Sequence, residues 1–227
     1  MTAEKNDQPQ MEDFTLGRPA LVCRWRLADR ALPLENRHLR ALGGRTVDGT
    51  PVSTQLVAWA KQHIEWTLSD GAARYPDGVL MVIVDEEGRA AMSVGPYEPL
   101  AVTTTSALAE RALHAGSEAQ ATGVAPEELW GVRGDRLVRG GSTDRQASGT
   151  ASLVIDLART MGIPMSAEEG LARSVMDGSA GLDEAFLVSD EHGVVPASDA
   201  PGMRAQRLAD GYARLLGSVR QRNRRGV

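Results

Sequence analysis

The chain has 227 residues, 42% hydrophobic and 24% charged, a globular composition that excludes a fibrous or wholly disordered protein. A formal charge of −5 gives no electrostatic reason to bind nucleic acid or an anionic membrane. Cys23 is the only cysteine, which excludes an intrachain disulfide and suits a cytoplasmic compartment.

Aromatic residues make up only 4%, so the core must be built mainly from Ala, Val, Leu, Ile and Met. Residues 1 to about 15 are polar, contain Pro9 and are expected to form a disordered arm. They lack the apolar stretch of a signal peptide, and no segment reaches the length of a membrane span. Leu21 to Leu27 reads as a strand, with Cys23 as a buried small hydrophobe, Trp25 as a core or interface anchor, and Asp29-Arg30-Ala31 as the turn out of it. Glu35 to Leu42 reads as a short helix ended by Gly43-Gly44 in a left-handed cap. His38 is expected on its surface.

Ser53 to Asp70 carries Leu56, Val57, Ala60, Ile64 and Leu68 on one stripe, which predicts a helix capped by Ser53 or Thr54. Gly78 to Val84 is a continuous apolar run, the pattern of a central strand, and Arg89 to Val94 pairs back across Asp85-Glu86-Glu87-Gly88. Gly95 to Pro99 reads as a linker. The expected division is an arm (1–15), a small N-terminal α/β domain (16–98) and a larger C-terminal domain (99–227). In the second part, Thr105 to Ala121 reads as a helix. Glu128 to Val132 and Arg136 to Val138 read as paired strands, with Trp130 as a core or interface anchor. Gly140 to Gly149 is a polar loop. Thr150 to Met161, Ala167 to Ser174 and Met203 to Arg222 read as helices, and Glu184 to Ser189 and Gly193 to Val195 as strands. The fold class is therefore α+β (α/β) in two halves. The basic stretch Arg220, Arg222, Arg224 and Arg225 reads as a solvated helix end.

Three blocks carry a family resemblance. Leu182-Asp183-Glu184-Ala185-Phe186-Leu187-Val188-Ser189, closing with Gly193-Val194-Val195-Pro196, resembles the late strand–loop–strand of class IV aminotransferases and aminodeoxychorismate lyases, around a phosphate-binding loop. Ser148-Gly149-Thr150 with the following helix and Gly162-Ile163-Pro164 is similar to a helix start in the same family. Gly134 to Val138 running into Gly141-Ser142-Thr143 resembles a third segment. The resemblance implies a two-domain class IV aminotransferase-like fold, here shortened, with pyridoxal phosphate in the cleft of a homodimer.

The residues depart from that cofactor chemistry. Pyridoxal phosphate needs a lysine amine to condense with its aldehyde. The chain has only Lys5 and Lys61, and none between Val102 and Ala115, where the resemblance places it. Arginine stays protonated and cannot substitute. The family's carboxylate facing the pyridine ring falls at Arg139 or Gly140, and its phosphate-binding arginine falls at Ala41, one residue after Arg40. Its phosphate-loop hydroxyls fall at Asp190 and Glu191, whose carboxylates would repel a phosphate. No cofactor is therefore expected; Lys61 is the only alternative anchor outside the arm.

The candidate catalytic residues are His192, Glu191 and Arg145: a histidine beside carboxylates has a raised pKa suited to acid–base work, and an arginine can clamp a carboxylate. Solvated loop residues are the plainer reading of His192 and Arg145. Candidate ligand contacts are the free N–H groups at Ser148, Gly149 and Thr150, with Tyr97 and Arg40. An ordinary helix cap is the equal alternative for the first three. No set of His, Cys, Asp and Glu has metal-ligand spacing. The expected function is a cofactor-independent transferase or lyase for a small anionic metabolite in specialised metabolism. The alternatives are a non-catalytic, partner-stabilising relative, or a pyridoxal enzyme anchored on Lys61.

Overall fold

The computed structural model describes residues 15–125, 127–142 and 146–225, with side chains to residue 221. The expected N-terminal arm (apart from residue 15), Arg145 and the side chains of the last arginines lie outside them.

A first antiparallel sheet has the order β1-β4-β5, from β1 (Pro19–Arg26), β4 (Val79–Asp85) and β5 (Ala90–Gly95). Side chains alternate across a strand, so Leu21, Cys23 and Trp25 of β1 fall on one face with Leu80, Val82 and Val84 of β4 in a single core. Helices α1 (Glu35–Gly43) and α2 (Thr54–Gly71) close that core with Leu39, Leu42, Ala60 and Ile64. The other face of β1 carries Arg24 and Arg26, which are only half-buried.

The second sheet has the order β10-β9-β6-β7-β8, from β6 (Glu128–Arg133), β7 (Arg136–Arg139), β8 (Met165–Ala167), β9 (Glu184–Ser189) and β10 (Gly193–Pro196). Its strands pair antiparallel, except that β7 and β8 run parallel. Trp130, Val132, Phe186 and Val188 pack on one face against α4 (Gly149–Thr160) and α6 (Met203–Arg225). Leu129, Val138, Ala185 and Leu187 pack on the other against α3 (Thr105–Thr122) and α5 (Leu171–Met176). A sheet covered on both faces needs apolar residues at every position, which explains the unbroken run Ala185 to Val188.

Ser53 caps α2 as the pattern predicts, accepting from the Leu56 N–H, and Thr104 caps α3 in the same way through Ala107. Three expectations are corrected and one element is added. Gly44 ends α1 with a φ of −92°, not in the left-handed region; the left-handed residue is Leu34 at the helix start, with a φ of 60°. A hairpin of β2 (Thr46–Val47) and β3 (Thr50–Pro51) follows, turning on Asp48 and Gly49, both at positive φ, a pair suited to a tight hairpin turn. Residues 165–167 form β8, because Leu137 donates to the Pro164 carbonyl and Glu168 to the Arg139 carbonyl, so α5 begins only at Leu171. His38 is not on the helix surface: it is 2% exposed and stacks on Trp25, with ring centroids 5.1 Å apart.

Phe186 is fully buried beside Trp130. Phe186→Ala is expected to remove about 3–5 kcal/mol of stability, read as an earlier urea midpoint. Trp66→Ala, at a residue 57% exposed, should stay within about 0.5 kcal/mol of the parent.

Candidate functional site

Between the two sheets, β1, α1, α4 and the β9–β10 turn meet around one carboxylate. Asp190 is 8% exposed. Its two oxygens accept from the backbone N–H of Thr150 at 2.7 Å and of Gly149 at 3.4 Å, the opening residues of α4. Ser148 caps the next donor, accepting from the Ala151 N–H at 3.2 Å. His38 Nδ1 lies 3.5 Å from Asp190 Oδ2. The approach is close enough that a Cβ on Gly149 would collide with the imidazole, so glycine is required there. The Asp190 carbonyl accepts from Arg26 N at 3.0 Å, tying the turn to β1. Burial alone would push the Asp190 carboxyl up; His38 and the Thr150 N–H and hydroxyl outweigh it and hold the group below the usual carboxylate range.

A second polar network adjoins the first. Arg111 of α3 pairs with Glu127 at 2.5 Å and donates to His192 Nε2 at 2.8 Å. Ser189 donates to Glu127 at 2.6 Å while its oxygen accepts the N–H groups of Glu191 and His192, each at 3.1 Å, which shapes the turn. His192 Nδ1 lies 3.5 Å from the Tyr97 hydroxyl, and the Arg26 guanidinium lies over the Tyr97 ring, 3.3 Å from its centroid. Arg26 Nη1 is buried and makes no hydrogen bond among the described residues. On the neighbouring strand position Arg24 pairs with Glu118 of α3 at 2.9 Å.

A cavity of about 450 Å³ opens along α3 beside these networks. Five carboxylates line it (Glu110, Glu118, Glu127, Asp190 and Glu191) against two guanidiniums, Arg24 and Arg111. Glu118 and Glu127 are spent on the two arginines and Asp190 on α4. The Glu191 carboxylate makes no hydrogen bond or ion pair among the described residues, and it is pushed up by burial and by Glu127 and Glu118, against the pull of Arg24 and Arg111.

The structure thus brings together Glu191, His192, Tyr97, Ser148, Gly149 and Thr150. Arg40 is exposed on α1 and does not line the cavity. The N–H groups of Gly149 and Thr150, expected to be free, are taken by Asp190. His192 is not raised but lowered, to about 4, because burial and the nearby charges of Arg111, Arg26 and Arg24 disfavour the imidazolium. With Nε2 accepting from Arg111, the neutral ring carries its proton on Nδ1. The reading from sequence missed Arg24, Arg111 and Glu127. Their signals were faint: Arg24 alternates with core residues of β1, and Arg111 and Glu118 lie two helical turns apart on α3.

Solved structures share this architecture. A fold IV transaminase of Curtobacterium pusillum superposes with a TM-score of 0.57 at 15% identity, over 88% of this chain and 85% of that one. The 4-amino-4-deoxychorismate lyase of Pseudomonas aeruginosa gives 0.55 at 16%, over 85% and 89%. A hypothetical aminotransferase of Mycobacterium tuberculosis, in its pyridoxal phosphate-bound form, gives 0.58 at 15%, over 93% and 94%. The fold is that of the class IV aminotransferases. No protein-family model and no curated protein sequence matches the chain.

The class IV fold implies pyridoxal phosphate, and the described residues do not fit it. Lys61 is exposed on α2, on a helix that packs against the first sheet and does not line the cavity; Lys5 lies outside the described residues. A phosphate brought to the start of α4 would meet the Asp190 carboxylate on the donors it needs.

Two outcomes follow from this geometry. Equilibrium dialysis against pyridoxal phosphate should show no saturable binding; a stoichiometric complex that survives Lys61→Arg would contradict the misfit. His192 has a folded pKa of about 4 against an ordinary 6.5, so the fold prefers the neutral ring. Its contribution to stability is complete above 6.5 and is lost as pH falls from 6.5 towards 4. Unfolding midpoints measured across that interval should drop in the parent and drop less in His192→Gln.

Proposed function

We propose that the protein is a cofactor-independent enzyme on the class IV aminotransferase fold, whose cleft takes a small amine-bearing metabolite and moves a proton on it through Glu191. The observation that carries this reading is the charge on the cavity wall. Two arginines are each neutralised by a carboxylate, and two carboxylates are left over, Glu110, which is exposed, and Glu191, which is half-buried and has no ion pair among the described residues. An ammonium group beside Glu191 would supply that charge. This replaces the anionic ligand expected from sequence, because the lining carries more carboxylates than guanidiniums.

The roles divide by environment. Glu191, its carboxyl pushed up by burial and by the neighbouring carboxylates, is the group that holds a proton more readily than an ordinary glutamate. His192 is locked neutral between Arg111 and Tyr97; it positions the β9–β10 turn rather than acting as the acid or base. Arg111, Glu127 and Ser189 hold the turn that presents Glu191. The carboxylate end of an amino acid-like ligand has Arg24 at the same wall, shared with Glu118.

Calorimetric titration with matched pairs of small molecules, each a primary amine and its carboxylate-only counterpart, tests the reading. The amines should bind the parent, and Glu191→Gln should weaken them by roughly tenfold or more, the scale of one hydrogen bond to a charged group. Preferential binding of the carboxylates, or amine binding indifferent to Glu191→Gln, would overturn it.

A further inference from the structure

The wall of the cavity along α3 carries an inference about the other end of its ligand, and it rests on the function proposed above. Ala107, Glu110, Arg111, His114, Ala115 and Glu118 all line the cavity. They follow one another at steps of three or four residues or stand side by side, so one face of α3 forms this wall. Glu110 and Glu118 lie two helical turns apart on it, about 12 Å at the rise of an α-helix.

The charges of the wall are unevenly spent. Glu118 pairs with Arg24 at 2.9 Å, and Glu127 pairs with Arg111. Asp190 is held by the first N–H groups of α4. Glu110 and Glu191 are left, neither with an ion pair among the described residues. The charges that act on Glu191 are those of Arg24, Glu127, Arg111 and Glu118, which sets it near the Arg24–Glu118 pair. Glu110 is not among them and stands toward the start of α3. The lining is otherwise largely apolar: Leu100, Val102, Ala107 and Ala115 belong to it, and Val102 is left 60% exposed.

A linear diamine has the same order of chemistry: a cation, a run of methylenes and a second cation. Four or five carbons hold its nitrogens roughly 6–8 Å apart. A charge-assisted hydrogen bond of about 2.8 Å at each end brings the span to roughly 12 Å, the scale of two turns of α3. We infer that the cavity takes a small metabolite with two ammonium groups, one beside Glu191 and the other beside Glu110, with its methylene chain along Val102 and the alanines of α3. Glu110 then determines specificity. It selects a diamine over a monoamine of the same length and takes no part in moving the proton.

Calorimetric titration at neutral pH and fixed ionic strength compares the four- and five-carbon α,ω-diamines with the n-alkyl monoamines of the same lengths. An exposed carboxylate adds a modest attraction, and a symmetrical diamine gains a further factor of about two because either end can sit at Glu191; together they should make each diamine bind the parent roughly fivefold tighter than its monoamine. In Glu110→Gln that preference should fall to about twofold, the factor left to the two equivalent ends. Glu65→Gln removes an exposed carboxylate of α2 outside the cavity lining, and it should keep the parent's preference. Circular dichroism checks the fold of each variant. Monoamine binding that depends on Glu191, with a parent preference for diamines of about twofold or less, would overturn this inference and leave the role of Glu191 standing. A larger preference that survives Glu110→Gln would overturn it in the same way. No binding of any amine would overturn both.

Discussion

The structure depends on one buried carboxylate finding enough donors. A charge taken out of water is costly unless it is hydrogen-bonded and paired, and Asp190 is nearly inaccessible. Its partners come from three places in the chain: the opening of α4, His38 on α1, and through its own carbonyl the strand β1. None of these segments satisfies it alone. The meeting of the two sheets is thus fixed by a polar contact of defined geometry as well as by apolar burial, which is less particular about position. Trp25 stacks on His38 from the first core and sets the imidazole plane against Gly149.

The neighbouring network follows from the same constraint. With Asp190 held at the start of α4, Ser189 and the residues after it form a tight turn whose N–H groups the Ser189 oxygen accepts. That places His192 against Arg111 and Tyr97 and leaves Glu191 on the cavity wall. Two adjacent ionisable residues are driven in opposite directions. His192 is surrounded by guanidiniums and stays neutral, while Glu191 faces burial and other carboxylates and holds its proton more tightly. Under the function proposed above, Glu191 is then the one proton carrier and His192 is not.

The fold was legible because its strands and helices obey simple periods. The run Ala185 to Val188 is apolar at every position because both faces are covered, and the stripe on α2 and the serine before it mark that helix unambiguously. The short pieces were not legible: β8 exists only because β7 pairs with it, and α5 begins where that pairing ends. The Asp48-Gly49 turn was a local signal passed over. At the site, Asp190 was recognised as hostile to a phosphate, but the partner that makes it a structural anion, His38, is more than a hundred residues away in sequence and reads locally as a surface residue. Contacts between an early helix and a late turn have no local signature. For the same reason the sign of the His192 shift was misjudged: burial and the guanidiniums of Arg111, Arg26 and Arg24, brought in by the fold, outweigh the carboxylates beside it.

The two departures from the pyridoxal pattern are physically coupled. An aldehyde cofactor is held by a covalent link to an amine and by its phosphate at a helix start. Where the amine is lacking, the helix start would be a buried set of donors with no dependable occupant, and leaving such donors unsatisfied costs about 1–3 kcal/mol each. A carboxylate delivered from the adjacent turn removes that penalty permanently and without dependence on any solute. Asp190 is therefore more than an obstacle to phosphate. It satisfies the first turn of α4 from within the chain, with no bound solute needed to do so.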